Sequence, residues 1–230
     1  MKNWIIIVLL LTLSFGAKAG TFEKDLETFT SIRAAGNYKV ILKKGDVNKA
    51  EIVNDDEAVD DDEILLDVVR DELRIRLKAD IFKEREIEII ITYKELNLIT
   101  AKKGCRVVFD TPIEKDKMEF VSESGGKIKA EVKTKKVLAS ISAGGSIHLK
   151  GTTDKAEYNV SAGGTIGAVS LDADKVEATV RAGGEIICTV GNDLLIKITS
   201  GGNVSYYGEP KAYEQNITLG GKITKMNKTQ

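Results

Sequence analysis

A parallel β-solenoid is the fold class this sequence predicts, and three observations predict it. A glycine pair recurs six times, at Gly125-Gly126, Gly144-Gly145, Gly163-Gly164, Gly183-Gly184, Gly201-Gly202 and Gly220-Gly221. The first glycines are spaced 19, 19, 20, 18 and 19 residues apart. Apolar residues alternate on both sides of each pair, as in Val137, Ala139, Ile141 before one and Ile147, Leu149 after it. Alternation with period two is the signature of a strand with one buried face. One such unit cannot bury that face alone, whereas copies stacked at the strand spacing of ~4.8 Å form a continuous core and pair their backbones. Glycine pairs suit the corners because they accept positive φ and let stacked backbones approach. An antiparallel sandwich is the competing fold, but its hairpins recur every ~8–12 residues with loops of varied length.

The elements follow in order. Residues 1–19 read as a signal peptide: Lys2, an apolar run over 5–13, then Ala17 and Ala19 at the two small positions before a cut at Gly20. The apolar run falls short of the ~20 residues of a spanning helix, so no stable membrane insertion follows cleavage. Export to the periplasm, cell surface or medium is expected. Residues 20–100 form an irregular β-rich part, with strands at 37–42, 64–69, 73–77 and 87–92. Residues 96–109 read as a degenerate first rung around Gly104, which stands 21 residues before Gly125. The regular solenoid rungs occupy 101–224, and 225–230 is a polar tail. The simplest arrangement closes one end of the regular stack with the irregular strands.

Phe29-Thr30-Ser31-Ile32 leading to Gly36-Asn37-Tyr38-Lys39-Val40, the Leu73-Arg74-Ile75 strand and the repeated Val-Ser-Ala-Gly-Gly units over residues 29–223 carry a family resemblance. The chain resembles the auto-transporter adhesin family known as the head GIN domain. That resemblance implies a right-handed β-helix similar in outline to pectin-lyase-like folds without their catalytic residues, and a role in adhesion. The chain departs from the family at Tyr93-Lys94-Glu95, where relatives usually carry a proline before the next leucine.

Little in the sequence supports catalysis or cofactor binding. Without Lys2 and Lys18 the basic count falls from 34 to 32 against 35 acidic residues, a balance that gives no support to nucleic-acid binding. His148 is the only histidine and lies between inward-facing Ile147 and Leu149, so parity sends it outward. The acidic run from Asp55 to Glu63 could suit calcium, but without glycine-punctuated ligand spacing it reads as a solvated loop. Lys127, Lys129, Lys133, Lys135 and Lys136 make a basic face that could meet acidic glycans. Cys105 and Cys188 lie four rungs apart, too far for a disulfide.

The leading expectation is therefore a non-enzymatic binding or adhesion protein without cofactors or metals. Its glycan or protein partner would meet an outward ladder of Ser142, Ser161, Arg181, Thr199 and Thr218. The alternatives are a polysaccharide-active enzyme on the same scaffold, which would need a defined carboxylate pair, and a structural envelope protein. A homo-oligomer is compatible with exposed end rungs.

Overall fold

The computed structural model describes residues 20–56, 59–78 and 83–227. The leader segment with Ala17 and Ala19 lies outside the described residues, and Gly20 opens the first strand. The early strands are β1 (Gly20–Asp25), β2 (Ser31–Ala35), β3 (Lys39–Lys44), β4 (Lys49–Asn54), β5 (Ile64–Val69), β6 (Glu72–Leu77), β7 (Ile87–Tyr93), β8 (Leu98–Lys102) and β9 (Arg106–Phe109). One 3-10 turn, Asp61–Glu63, precedes β5. The long strands follow: β10 (Ile113–Glu123), β11 (Lys127–Ser142), β12 (Ser146–Ala162), β13 (Thr165–Ala182) and β14 (Glu185–Ser200). Three short ones end the stack, β15 (Asn203–Tyr207), β16 (Ala212–Leu219) and β17 (Lys222–Met226).

From β8 onward every inter-rung pairing is parallel, with Lys127 facing Ser146, Ser146 facing Thr165 and Asn203 facing Lys222. The regular solenoid read from the glycine spacing is the fold observed. In β11 the inward side chains alternate to Thr134, the phase slips at Lys135 and Lys136, and alternation resumes at Val137. That slip bends the rung at a second corner, where Thr134 Oγ1 donates to Thr153 Oγ1 of the next rung at 3.1 Å. Large and small inward residues alternate along the stack: Phe120, Ala139, Tyr158, Ala178 and Ile196 face one another in register. Alternation of large and small side chains between facing positions is what close packing of a stacked core requires.

The glycine corners divide into two chemical types. The first glycine of a pair holds a left-handed φ and faces open space: nothing lies within 4 Å of a Cβ placed on Gly144, Gly163, Gly183, Gly201 or Gly220. The second glycine stacks on its counterpart one rung away. The carbonyl oxygens of Gly126, Gly145, Gly164, Gly184 and Gly202 accept from the N–H groups of Ser146, Thr165, Glu185, Asn203 and Lys222 at 2.9–3.1 Å. A Cβ on Gly164 would lie 2.7 Å from Ile141 Cγ2 and 2.9 Å from the Gly145 oxygen.

At the N-terminal end the rungs do not stack in chain order. The unit β2–β3 lies between β8–β9 on one side and β6–β7 on the other. The first rung the chain lays down, β2–β3, sits one rung inside the end, and the chain builds outward from it. It lays down the outermost rung last, then passes back over β2–β3 to start β8–β9. The 96–109 segment is therefore an internal rung, with the first-laid rung outside it. Antiparallel β4 on β7, β1 on β4 and β5 on β6 finish this end. Ile64 and Leu66 are buried there, Phe22, Leu26 and Val68 pack against the core, and Lys24 Nζ donates to the Leu66 carbonyl at 2.9 Å.

Candidate ligand-binding groove

Outward parity places Lys129, His148, Gly167 and Ile187 opposite one another on four successive rungs, with Val108 continuing the row on β9. Five rungs at the strand spacing make a floor roughly 19 Å long. Walls convert this floor into a groove of about 580 Å³. One is the Asp110-Thr111-Pro112 turn between β9 and β10. It is anchored by Phe109, whose ring meets Tyr93 and Phe120 edge to face at centroid distances of 6.3 and 6.1 Å. The other is a bulge in β13: Gly167 faces His148 but Ser170 faces Lys150, so one extra residue is looped out. Val169 is consequently 40% exposed, and Thr189 Oγ1 ties the bulge to the next rung by donating to the Val169 carbonyl at 2.7 Å.

Gly167 makes room for the imidazole. A Cβ there would approach His148 Cδ2 to 3.0 Å and Nε2 to 3.3 Å, so the ring lies across the Gly167 backbone. Glu131 is ion-paired with Lys150 at 2.7 Å, whereas Lys129 and His148 have no ion-pair partner among the described residues. The groove thus combines apolar contacts from Val108, Val169 and Ile187 with two unengaged nitrogen groups on its floor. Sites of this composition bind through apolar contact and use a few polar groups to orient the ligand.

His148 is outward and exposed, as parity predicts, but it also lines a depression that parity does not reveal. The ladder of Ser142, Ser161, Arg181, Thr199 and Thr218 does face outward, and Arg181 Nη1 donates to Ser161 Oγ at 3.3 Å. It lies on the strands before the corners, away from the groove. Of the basic face, Lys135 pairs with Asp116 at 3.0 Å and Lys136 with Glu157 at 2.8 Å, and only Lys129 lines the groove. The acidic run is used locally: Asp61 accepts from Asn54 at 2.9 Å, Asp62 pairs with Lys78 at 3.2 Å, and Asp60 and Glu63 cap the 3-10 turn. Among the described residues no three His, Cys, Asp or Glu side chains converge to hold a metal ion.

The groove was missed at the level of sequence, yet it left a trace. The 20-residue spacing between Gly163 and Gly183, followed by 18, marks the residue looped out at Val169 and its compensation in β14.

The family model described as "Putative auto-transporter adhesin, head GIN domain" matches residues 28–210. No curated protein matches the chain. Among solved structures, the fold is similar to a "putative adhesin" from Bacteroides fragilis, with TM-score 0.82 and 20% identity over 92% of this chain and 98% of that one. It is also similar to a "putative adhesin" from Parabacteroides merdae, with TM-score 0.71 and 19% identity over 90% of this chain and 96% of that one. A "Putative lipid binding protein" from Parabacteroides distasonis superposes with TM-score 0.73 and 21% identity over the same shares, 90% and 96%. At these identities the likenesses establish the fold.

Proposed function

The chain belongs to the head GIN domain family, whose description reads "Putative auto-transporter adhesin", and from that premise we propose that it is an exported, non-enzymatic binding protein that seats its partner in the groove over Lys129, His148 and Gly167. The observation that carries this reading is the groove itself: a floor in register across five rungs, walled by a turn and a bulge. The partner is a protein or glycoprotein surface. The apolar contacts from Val108, Val169 and Ile187 suit protein side chains, and Lys129 and His148 suit carboxylates or acidic sugars.

Mucin, which presents both peptide and acidic glycan, is the probe. Fluorescently labelled protein should bind mucin-coated wells, and Gly167→Trp should weaken that binding at least about tenfold by filling the groove. The exposed substitution Val47→Asp, outside the groove, should leave it unchanged. Equal binding by the two variants would sink the assignment of the groove, and a glycan array run alongside separates sugar from protein recognition.

Two other readings have an observation behind them. A lipid ligand is favoured by the apolar contacts of Val108, Val169 and Ile187 and by the likeness to a protein whose description is lipid binding; it predicts retention of a fluorescent fatty acid that Gly167→Trp abolishes. A polysaccharide-active enzyme would have to use Asp110, Glu131 and His148, the carboxylates and the base that line the groove. Polysaccharide cleavage that disappears in Asp110→Asn or Glu131→Gln would replace the binding reading.

A further inference from the structure

The two ends of the solenoid differ. At the N-terminal end the core is closed by β1 and β5, with Ile64 and Leu66 buried. At the C-terminal end β16 pairs only with β14 and β17 only with β15, and no described element lies beyond them. Residues that continue the inward columns are consequently uncovered. Tyr213 follows Leu194, Gln215 follows Ile196 and Ile217 follows Ile198, and Tyr213 and Ile217 are 45% and 41% exposed. Tyr213 already rests on Tyr206, with ring centroids 5.9 Å apart. An edge that carries unpaired backbone groups and an open apolar column is a template for another strand.

We propose that this end joins a second copy of the chain across a two-fold axis, with β16 pairing antiparallel to β16 of the partner. The residues themselves point to that occupant. An antiparallel register centred on Gln215 sets Tyr213 opposite Ile217 of the second copy. It also sets Glu214 opposite Asn216 and Lys211 opposite Leu219. Inward side chains then meet inward side chains, Gln215 meets its own amide, and no like charges face each other. Cross-strand aromatic–aliphatic pairs of this kind stabilise a sheet. Head-to-tail growth has no such match, because the closed N-terminal end offers no apolar column to cover Tyr213 and Ile217. The contact is isologous and stops at two copies. It does not depend on the groove assignment, but it would present two grooves at once and raise avidity for a repetitive surface.

Sedimentation velocity across a concentration series should give twice the chain mass, and Ile217→Lys should return the monomer mass with an unchanged circular dichroism spectrum. Gln215→Cys supplies the register: among the described residues both native cysteines are buried, so oxidation should link two copies through that position alone. Monomer mass at every concentration, or an open-ended ladder of species, would overturn the proposal. A dimer that survives Ile217→Lys and fails to cross-link through position 215 would overturn it equally.

Discussion

Gly164→Ala should lower the melting midpoint by roughly 10 °C or more, while Gly163→Asn, one residue earlier in the same corner, should shift it by no more than a few degrees. The first substitution places a Cβ 2.9 Å from a carbonyl oxygen that is hydrogen-bonded to Thr165, and 2.7 Å from a methyl group of Ile141 in the previous rung. Neither neighbour is the free end of a flexible side chain, so relief requires the rungs to part. Overpacking and positive φ combine, at φ +98 on the equivalent Gly184 and +95 on Gly164 itself, for a cost on the order of 3–5 kcal/mol. Gly163 has φ +68 and an empty shell around its missing Cβ, a conformation asparagine adopts at a cost of about 1 kcal/mol or less. Ser124 and Ala143 already hold φ of 49 and 57 beside neighbouring corners, so small side chains are tolerated in this backbone region. Valine at either position should destabilise, but far more at Gly164. Equal melting losses for Gly164→Ala and Gly163→Asn would show that close approach of rungs is not what the second glycine provides.

The contrast shows where sequence reading succeeds. Both glycines are equally visible in the repeat, and the parity of Ile147, His148 and Leu149 gives the correct faces, because period and alternation are local properties. Which glycine touches the next rung depends on how rungs stack, and a one-dimensional pattern treats the pair as equivalent. The order of the N-terminal rungs is illegible in the sequence for the same reason. Nothing local in β2 or β8 records that β2–β3 is held between β6–β7 and β8–β9. The groove is intermediate: its floor follows from parity, but its walls come from a turn at Asp110 and a bulge at Val169. The latter is announced only by a spacing of 20 among nineteens.

The cysteines provide the other large effect, and it appears with alkali. Cys105 and Cys188 are free and buried, and four steps of strand pairing lie between β9 and β14. That is a separation of roughly 19 Å against the ~7 Å a disulfide allows. Burial pushes both thiols up, Cys188 from 9.0 to about 12, with Arg106 only partly offsetting the effect at Cys105. A thiol reagent at neutral pH should therefore find no reactive group in the folded chain and two after denaturation. The sign of the pH effect follows from which state releases its proton first. Below about pH 9 both states keep the Cys188 proton and the thiol contributes no pH dependence; above it the unfolded chain ionises while the folded chain does not. Stability should fall between about pH 9 and 12, by an amount on the order of a few kcal/mol from Cys188. Buried Tyr38 and Tyr158, also pushed up by burial, act in the same direction at the upper end of that window. Denaturant midpoints measured at pH 8 and pH 10.5 should therefore differ, and Cys188→Ala should shrink the difference. An unchanged difference would mean that the thiol reaches solvent and that the rung around Ile186 and Cys188 opens in the native state.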